Sequence, residues 1–124
     1  MAWDYNVINL DEAITRAMGR KELYKGWLDS FFKDESFTHV SDAFEKKDYE
    51  AVGAALHKIK GTAGNLSVLT VFKQAGELDA KIKNEPSFDS LAEDLEKLRE
   101  YFYAAKKMYT DNINVLTNYG ELSF

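Results

Sequence analysis

Hydrophobic residues recur three and four positions apart along most of the chain, which is the period of one face of an α-helix. The clearest run lies near the C-terminus: Phe88, Leu91, Leu95, Leu98, Phe102, Ala105 and Tyr109. A repeat of this kind is typical of the seam of a helical bundle. We therefore predict one long helix from Ser87 to about Asn118, on the order of 45 Å in length at 1.5 Å per residue.

The same spacing of hydrophobic residues, together with residues typical of helix ends, predicts shorter helices before this long one. Asn9 is a candidate N-cap, with Glu12 as its capping-box partner, for a first helix that ends near Gly19. A second helix is predicted from Arg20 to Lys33, and Ser36 can cap a third. The apolar stripes of these two helices are Leu23, Trp27, Leu28, Phe31 and Phe32, followed by Phe37, Val40 and Phe44.

Two further helices complete the predicted bundle. Asp48 is the expected N-cap of a fourth helix, from about Tyr49 to Leu66, and Pro86 is the expected stop of a fifth. Their buried stripes are Val52, Leu56, Ile59, Ala63 and Leu66, then Val68, Val71, Ala75, Leu78 and Ile82. The predicted fold is all-α, an antiparallel four-helix bundle with additional short N-terminal helices. We expect a single domain over residues 1–124, with its core at about 7–118 and a loose tail at 119–124.

The composition fits this fold and narrows the function classes. The 124 residues are 45% hydrophobic, with one proline and no cysteine, so disulfides and cysteine zinc sites are excluded. No apolar run reaches the roughly 18 residues that a membrane span needs, and the N-terminus lacks the basic and apolar regions of a signal peptide. We expect a cytoplasmic monomer that does not associate with membranes.

The charge distribution is uneven. The net charge of −5 argues against binding to nucleic acid. Between Lys46 and Lys73, however, there are five lysines and two acidic residues. This basic stretch would suit an acidic protein partner or a phosphate, although a chance cluster on a solvated face explains the charge pattern equally well.

His57 lies inside the basic stretch and has unusual neighbours. On the predicted fourth helix it faces away from Ile59 and the buried stripe. The residues that share its face are all glycine or alanine: Gly53, Ala54, Gly61 and Gly64. Each glycine inside a helix costs about 1 kcal/mol relative to alanine, so the pattern indicates a constraint. Either a large partner approaches the imidazole, or the glycines let another helix of the bundle pack tightly.

Two other residues complete the candidate chemistry. Lys60, one turn after His57, can supply an ammonium group to an anion bound beside the imidazole, or it is an ordinary exposed lysine. His39, the other histidine, lies beside the stripe of the third helix, where a surface position is expected. No His-x-x-x-His or Glu-x-x-His pair occurs in the sequence, so we expect no metal site.

Residues 57–66, His-Lys-Ile-Lys-Gly-Thr-Ala-Gly-Asn-Leu, resemble the signature of histidine-containing phosphotransfer (HPt) domains of bacterial-type phosphorelays. The signature positions that match are His57, Lys60, Gly61, Thr62, Ala63, Asn65 and Leu66. Residues 8–13, 22–24 and 75–78 also resemble the family, and the likeness extends over roughly 7–110. Ser67 departs from the glycine that the family most often has there, and we expect it to cap the next helix instead.

The resemblance implies a role for each residue of the site. His57 would accept a phosphoryl group on Nε2 from the aspartyl phosphate of a receiver domain and pass it to another receiver, while Lys60 would hold the phosphate. The residues expected to dock the partner are Gly53, Ala54, Lys58, Gly61 and Gly64. Response-regulator receivers and a hybrid histidine kinase are the expected partners. Mg²⁺ would belong to the receiver, and the chain would be a phosphocarrier with no nucleotide site and no cofactor, not an enzyme in its own right.

Two alternatives stay open. The chain could be the phosphoacceptor domain of a chemotaxis-type histidine kinase, which an ATP-binding domain would phosphorylate instead of a receiver. It could also be a helical interaction module that is not phosphorylated. The last alternative predicts loss of His57 or Lys60, and both are present. The chemotaxis-type alternative differs from the phosphorelay only in the phosphodonor.

Overall fold

The computed structural model describes residues 2–84 and 88–120, and the side chains of residues 88 and 89 are outside that description. This part of the chain forms seven helices: α1 (Leu10–Arg16), α2 (Lys21–Lys33), α3 (Ser36–Glu45), α4 (Tyr49–Asn65), α5 (Leu69–Asn84), α6 (Phe88–Asp111) and α7 (Ile113–Thr117). Ile8 and Val68 make an isolated antiparallel bridge between the N-terminal segment and the α4–α5 turn. The all-α prediction is confirmed.

Short turns make α3, α4 and α5 antiparallel neighbours. Both turns end a helix with a residue in the left-handed conformation, Lys47 (φ 57°) after α3 and Ser67 (φ 57°) after α4. At the second turn the amide of Val68 donates to the carbonyl of Ala63 at 2.9 Å, and the amide of Ser67 donates to Gly64 at 3.2 Å. These two bonds form a Schellman motif. They satisfy the last carbonyls of α4 and turn the chain back along the helix.

The predicted core positions of α4 and α5 are confirmed, since all ten side chains of the two stripes are buried. On α6 the predicted seam residues Leu91, Leu98, Phe102 and Tyr109 are buried, and Leu95 is half-buried. Ring contacts join this seam to α2 and α3: Phe31 and Phe32 lie 5.4 and 5.6 Å from Phe102 between ring centroids, and Phe37 lies 5.6 Å from it. The bundle therefore closes around an aromatic cluster.

The prediction for α2 is wrong at two positions. Leu23 and Trp27 are 41% and 43% exposed, although the sequence pattern places them in the stripe. Leu28, Phe31 and Phe32 are buried as predicted, and Tyr24, which the predicted stripe omits, is buried as well. The Tyr24 hydroxyl donates to the carbonyl of Leu66 at 2.5 Å. This bond makes burial of the phenol favourable, which an apolar pattern alone does not reveal.

The long C-terminal helix is shorter than predicted. It ends at Asp111, because the Asn112 side-chain amide donates to the carbonyl of Met108 at 2.9 Å and competes with the helical ladder. The chain then turns into α7, whose Leu116 is fully buried. Tyr119, predicted to be in the tail, instead packs against the core and donates its hydroxyl to Asp11.

Three cap predictions need correction. Ser36 is the first residue of α3 rather than its cap: the N-cap position is Glu35, whose side chain makes no capping bond, and the Oδ1 of Asp34 accepts from the amide of Ser36 at 2.7 Å. Asn9 caps α1 as predicted, but the carboxylate of Glu12 does not return to the Asn9 amide, which donates to Ser67 instead. The hydroxyl of Ser67 donates to Glu12 at 2.9 Å rather than capping α5, which begins at Leu69.

Some sequence predictions cannot be compared with the structure. The stop at Pro86, the cap at Ser87, the burial of the Phe88 side chain and the tail at 121–124 lie outside the described residues. Among the helices that are described, none combines the length and the apolar character that crossing a bilayer requires.

Candidate functional site

Helix α4 carries the candidate site on the face opposite its buried stripe. Asp48 is the N-cap of this helix, as the sequence predicts, and its Oδ1 accepts from the amide of Ala51 at 3.1 Å. Leu56 and Ile59 are buried on one side, and His57 is exposed on the other. The helical register alone therefore presents the imidazole to solvent.

The glycines around His57 differ in their surroundings. A Cβ atom built on Gly53 or Gly61 would meet no atom of the described chain within 4 Å. Tight helix packing within the bundle therefore does not explain these two glycines. A Cβ on Gly64 would lie 2.9 Å from two ring carbons of Phe72, so Gly64 is the position where the packing explanation holds. Its lack of a side chain lets the Phe72 ring lie against the backbone of α4.

A depression of about 380 Å³ surrounds the exposed imidazole. The described residues that line it are Arg16, His57, Lys60, Gly61, Gly64, Asn65 and Phe72. Four of these were predicted as site residues, and Asn65 belongs to the quoted signature. Lys60 is half-buried, and its Cε lies 3.6 Å from where a Cβ on Gly76 would be, so its stem runs along α5. The structure thus brings His57 and Lys60 into one depression.

The charges that line this depression are of one sign. Arg16 and Lys60 are the basic residues in the lining, and none of the described lining residues is acidic. An anion that enters therefore meets two cations and no carboxylate at first contact. Such a lining favours a phosphate or an acidic protein surface.

Sequence reasoning missed Arg16 as part of the site. It lies in the last turn of α1, and its Nη1 donates to the carbonyls of Gly64 at 2.6 Å and Asn65 at 3.0 Å. Nη1 also donates to the hydroxyl of Ser67 at 3.2 Å, and Nη2 donates to Glu12 at 3.0 Å. A basic residue at a helix end is common, and no sequence signal connects Arg16 with a carbonyl 48 positions away. Phe72 was missed as a site residue for the same reason.

The end of α4 is held by a second contact. Tyr24 donates its hydroxyl to Leu66, and burial raises the pKa of this phenol well above its usual value. The phenol therefore stays protonated at neutral pH and keeps its donor. Together with Arg16, it fixes the last turn of α4 relative to α1 and α2.

The predicted docking residues are not all brought together. Gly53 and Ala54 lie one turn before His57 on the same face, and Ala54 is exposed. Lys58 does not line the depression: its Nζ lies 3.6 Å from a carboxylate oxygen of Asp34, at the α2–α3 junction. The hydroxyl of Ser36 and then Lys58 hold the pKa of Asp34 below its usual value.

A second cavity of about 510 Å³ adjoins the depression. Its lining comprises Arg16, Trp27, Ser30, Phe31, Asp34, Thr62, Asn65 and Leu66. Arg16 and Asn65 line both spaces, so the two lie next to each other. Trp27 and Phe72, which are 43% and 40% exposed, line the cavity and the depression respectively. His57 is therefore accompanied by two large exposed aromatic side chains.

Metal ligation finds no support in the part of the chain that is described, where no group of three or more His, Cys, Asp or Glu residues could hold an ion. His39 is exposed on α3 and does not line the depression. The two histidines therefore differ in their surroundings, although both reach solvent.

Comparisons with known proteins agree with this geometry. A family model described as Hpt domain matches residues 30–107, which include His57 and Lys60. The crystal structure of the HPT domain from the Hpt sensor hybrid histidine kinase of Shewanella is similar, with a TM-score of 0.63 and 22% sequence identity. The likeness covers 87% of this chain and 97% of that chain, and at this identity it shows the shared fold. A search of curated proteins gives no match.

Proposed function

The chain belongs to the Hpt domain family, whose members are phosphocarriers of two-component signalling, and from that premise we propose that it relays phosphoryl groups between receiver domains through His57. The observation that carries this proposal is the depression around the exposed imidazole, where Lys60 lies beside His57 and no lining residue among those described is acidic. The match to the family includes both residues.

The proposed reaction is a displacement at phosphorus. The lone pair of the neutral imidazole Nε2 attacks the phosphorus atom of a receiver's aspartyl phosphate, the N–P bond forms, and the O–P bond breaks to release the aspartate carboxylate. The reverse displacement transfers the group to the aspartate of the next receiver. Positioning and charge stabilisation dominate such transfers. Lys60 would stabilise the phosphoryl oxygens, and the receiver would supply Mg²⁺, so the chain needs no cofactor of its own.

The surroundings of His57 support docking of a large partner. Gly53 and Gly61 leave open space above the helix backbone, so the acidic active site of a receiver could come close to the imidazole. Trp27 and Phe72 offer apolar surface next to this face, and exposed aromatic side chains are common anchors at protein interfaces. We propose that a receiver covers Gly53, Ala54, Gly61 and Gly64 together with these two aromatics.

The experiment that tests the proposal supplies phosphorylated receivers to the purified chain. Receiver domains from the source organism would be phosphorylated in turn, mixed with the protein, and assayed for acid-labile, base-stable phosphate at His57. We expect label from at least one receiver and return of the label to a second. Absence of label from every receiver would contradict the relay. Label that comes only from an ATP-bound kinase domain would identify the chemotaxis-type alternative, and no label from any source would indicate an interaction module.

Replacing Lys60 with alanine should slow phosphoryl transfer from a receiver by about tenfold, which corresponds to loss of one charge-assisted hydrogen bond. Lys60→Arg keeps the positive charge and should recover part of the rate. The initial rate of His57 labelling at fixed receiver concentration measures the effect.

Lys107 provides the control, because it is an exposed lysine on α6 that does not line the depression. Its contact with Asp111 is an exposed ion pair, which contributes little to stability. Lys107→Ala should therefore leave the rate close to that of the wild type. Equal losses for the two variants would mean that general charge, rather than the position of Lys60, governs transfer.

A further inference from the structure

Arg16 joins the candidate site to α1, and its partners suggest a role beyond ending a helix. The guanidinium lines the His57 depression, and 46% of its side chain is exposed. It contacts the carbonyls of Gly64 and Asn65, which also line the depression. The C-terminal carbonyls of a helix carry partial negative charge, and these two lie about two turns beyond His57. Arg16 therefore offsets negative potential at one end of the space that an anion would enter.

Glu12 opposes this effect. Its Oε1 accepts from Nη2 of Arg16 at 3.0 Å and from the hydroxyl of Ser67 at 2.9 Å. Glu12 does not line the depression, but its carboxylate contacts the guanidinium and offsets part of its positive charge. The side chain is 44% exposed, so the pair remains accessible to solvent and to salt. The depression thus contains one cation, Lys60, and a second cation whose charge is partly compensated.

We propose that Arg16 and Glu12 form an opposed pair of charges that sets how strongly the His57 depression attracts an anionic phosphodonor. This inference rests on the proposed phosphoacceptor role of His57. Arg16 is a positioning residue: it strengthens the attraction, covers the carbonyl end of α4 and holds the last turn in place. Glu12 limits the attraction and keeps the guanidinium oriented toward the helix end. The two residues belong to α1, ahead of the segment that the family model matches.

A small-molecule phosphodonor, which needs no receiver, tests this proposal directly. Phosphoramidate is a small anion that can phosphorylate imidazole: the N–P bond to His57 forms, the P–N bond of the donor breaks, and ammonia leaves. Labelling rates would be measured for wild type, Glu12→Gln, Arg16→Gln and the double variant, with His57 modification followed by peptide mass. Glutamine at position 16 removes the charge and retains a side-chain hydrogen-bond donor.

The charges at positions 12 and 16 determine the expected order of the labelling rates. At low salt Glu12→Gln should label about two- to fivefold faster than wild type and Arg16→Gln slower by a similar factor, the size typical of exposed charge pairs. The double variant should return close to the wild-type rate, because its local net charge is again that of the wild type. Raising the salt concentration should bring all four rates together, because the charges are exposed and are screened.

A purely structural role for Arg16 predicts a different result. The double variant would then be at least as slow as Arg16→Gln, and Glu12→Gln would be no faster than wild type. Either result would overturn the proposal. The comparison of Glu12→Gln with wild type remains decisive even if the Arg16 variants unfold. The receiver assay judges the relay separately, because the ranking with phosphoramidate uses no receiver.

Discussion

Replacing His57 with glutamine should abolish the acid-labile phosphate that the protein acquires from a phosphorylated receiver. Glutamine has no ring nitrogen that can act as a nucleophile, and the effect should be complete rather than graded. The side chain at this position is exposed, so the substitution removes no core contact. Helical content and the thermal midpoint should remain those of the wild type. The measurement is labelling followed by acid and base treatment, with circular dichroism on the same samples.

His39 supplies the matched control for that experiment. It is the second of two histidines, it is exposed, and it lies on α3 away from the depression. His39→Gln should keep full labelling from a receiver. Label that survives in His57→Gln but disappears in His39→Gln would identify His39 on α3 as the phosphoacceptor. Such a result would separate the function from the glycine-lined face of α4.

The sequence predicted the exposed position of His57 on α4, because the register of a single helix determines it. Period and register alone place His57 opposite Leu56 and Ile59, and the structure has both of them buried. Local signals also sufficed for the Asp48 cap. What lies within about one turn of the histidine could be predicted because helical geometry determines it.

Features that depend on tertiary contacts escaped prediction. Leu23 and Tyr24 are neighbours in the sequence, and the hydroxyl bond of Tyr24 to Leu66 favours burial of Tyr24 rather than Leu23. Arg16 and Phe72 enter the site from α1 and α5 through side-chain contacts that no periodicity encodes. The end of α6 depends on a side-chain bond of Asn112, which has no strong sequence signature. Hydrogen bonds between distant segments therefore account for the positions of Tyr24 and Arg16, whereas the bond of Asn112 is local.

Ser67 takes part both in the local geometry of a turn and in a contact between distant segments. Its left-handed conformation is the one that glycine adopts most readily, so the turn keeps a geometry that glycine would allow. A glycine there would have no hydroxyl to offer Glu12 and Arg16. The residue therefore combines a turn with a contact to α1, and α1 in turn contributes Arg16 to the depression. The identity of one residue in a turn thus helps to position Arg16, which lines the depression.

Replacing Gly61 with glutamine should make the protein more stable and the relay slower. Gly61 lies inside α4, where a Cβ would meet nothing of the described chain within 4 Å, so glutamine should raise the free energy of unfolding by about 0.5 kcal/mol through helix propensity. The same side chain would occupy the space into which a receiver must bring its aspartate. Displacing the reacting groups by even about 1 Å can cost on the order of 100-fold in rate. Transfer from a receiver should fall by that order, while phosphoramidate, which needs little room, should still label His57.

Gly26 offers a control that separates stability from docking. It is exposed inside α2, and a Cβ there would also meet nothing of the described chain within 4 Å. Gly26→Gln should therefore raise stability by a similar amount and leave the receiver reaction unchanged. The measurements are denaturant unfolding and the two labelling rates for each variant. If Gly61→Gln transfers from a receiver at the rate of Gly26→Gln, the open strip beside His57 does not admit the partner, and the glycines of α4 need another explanation.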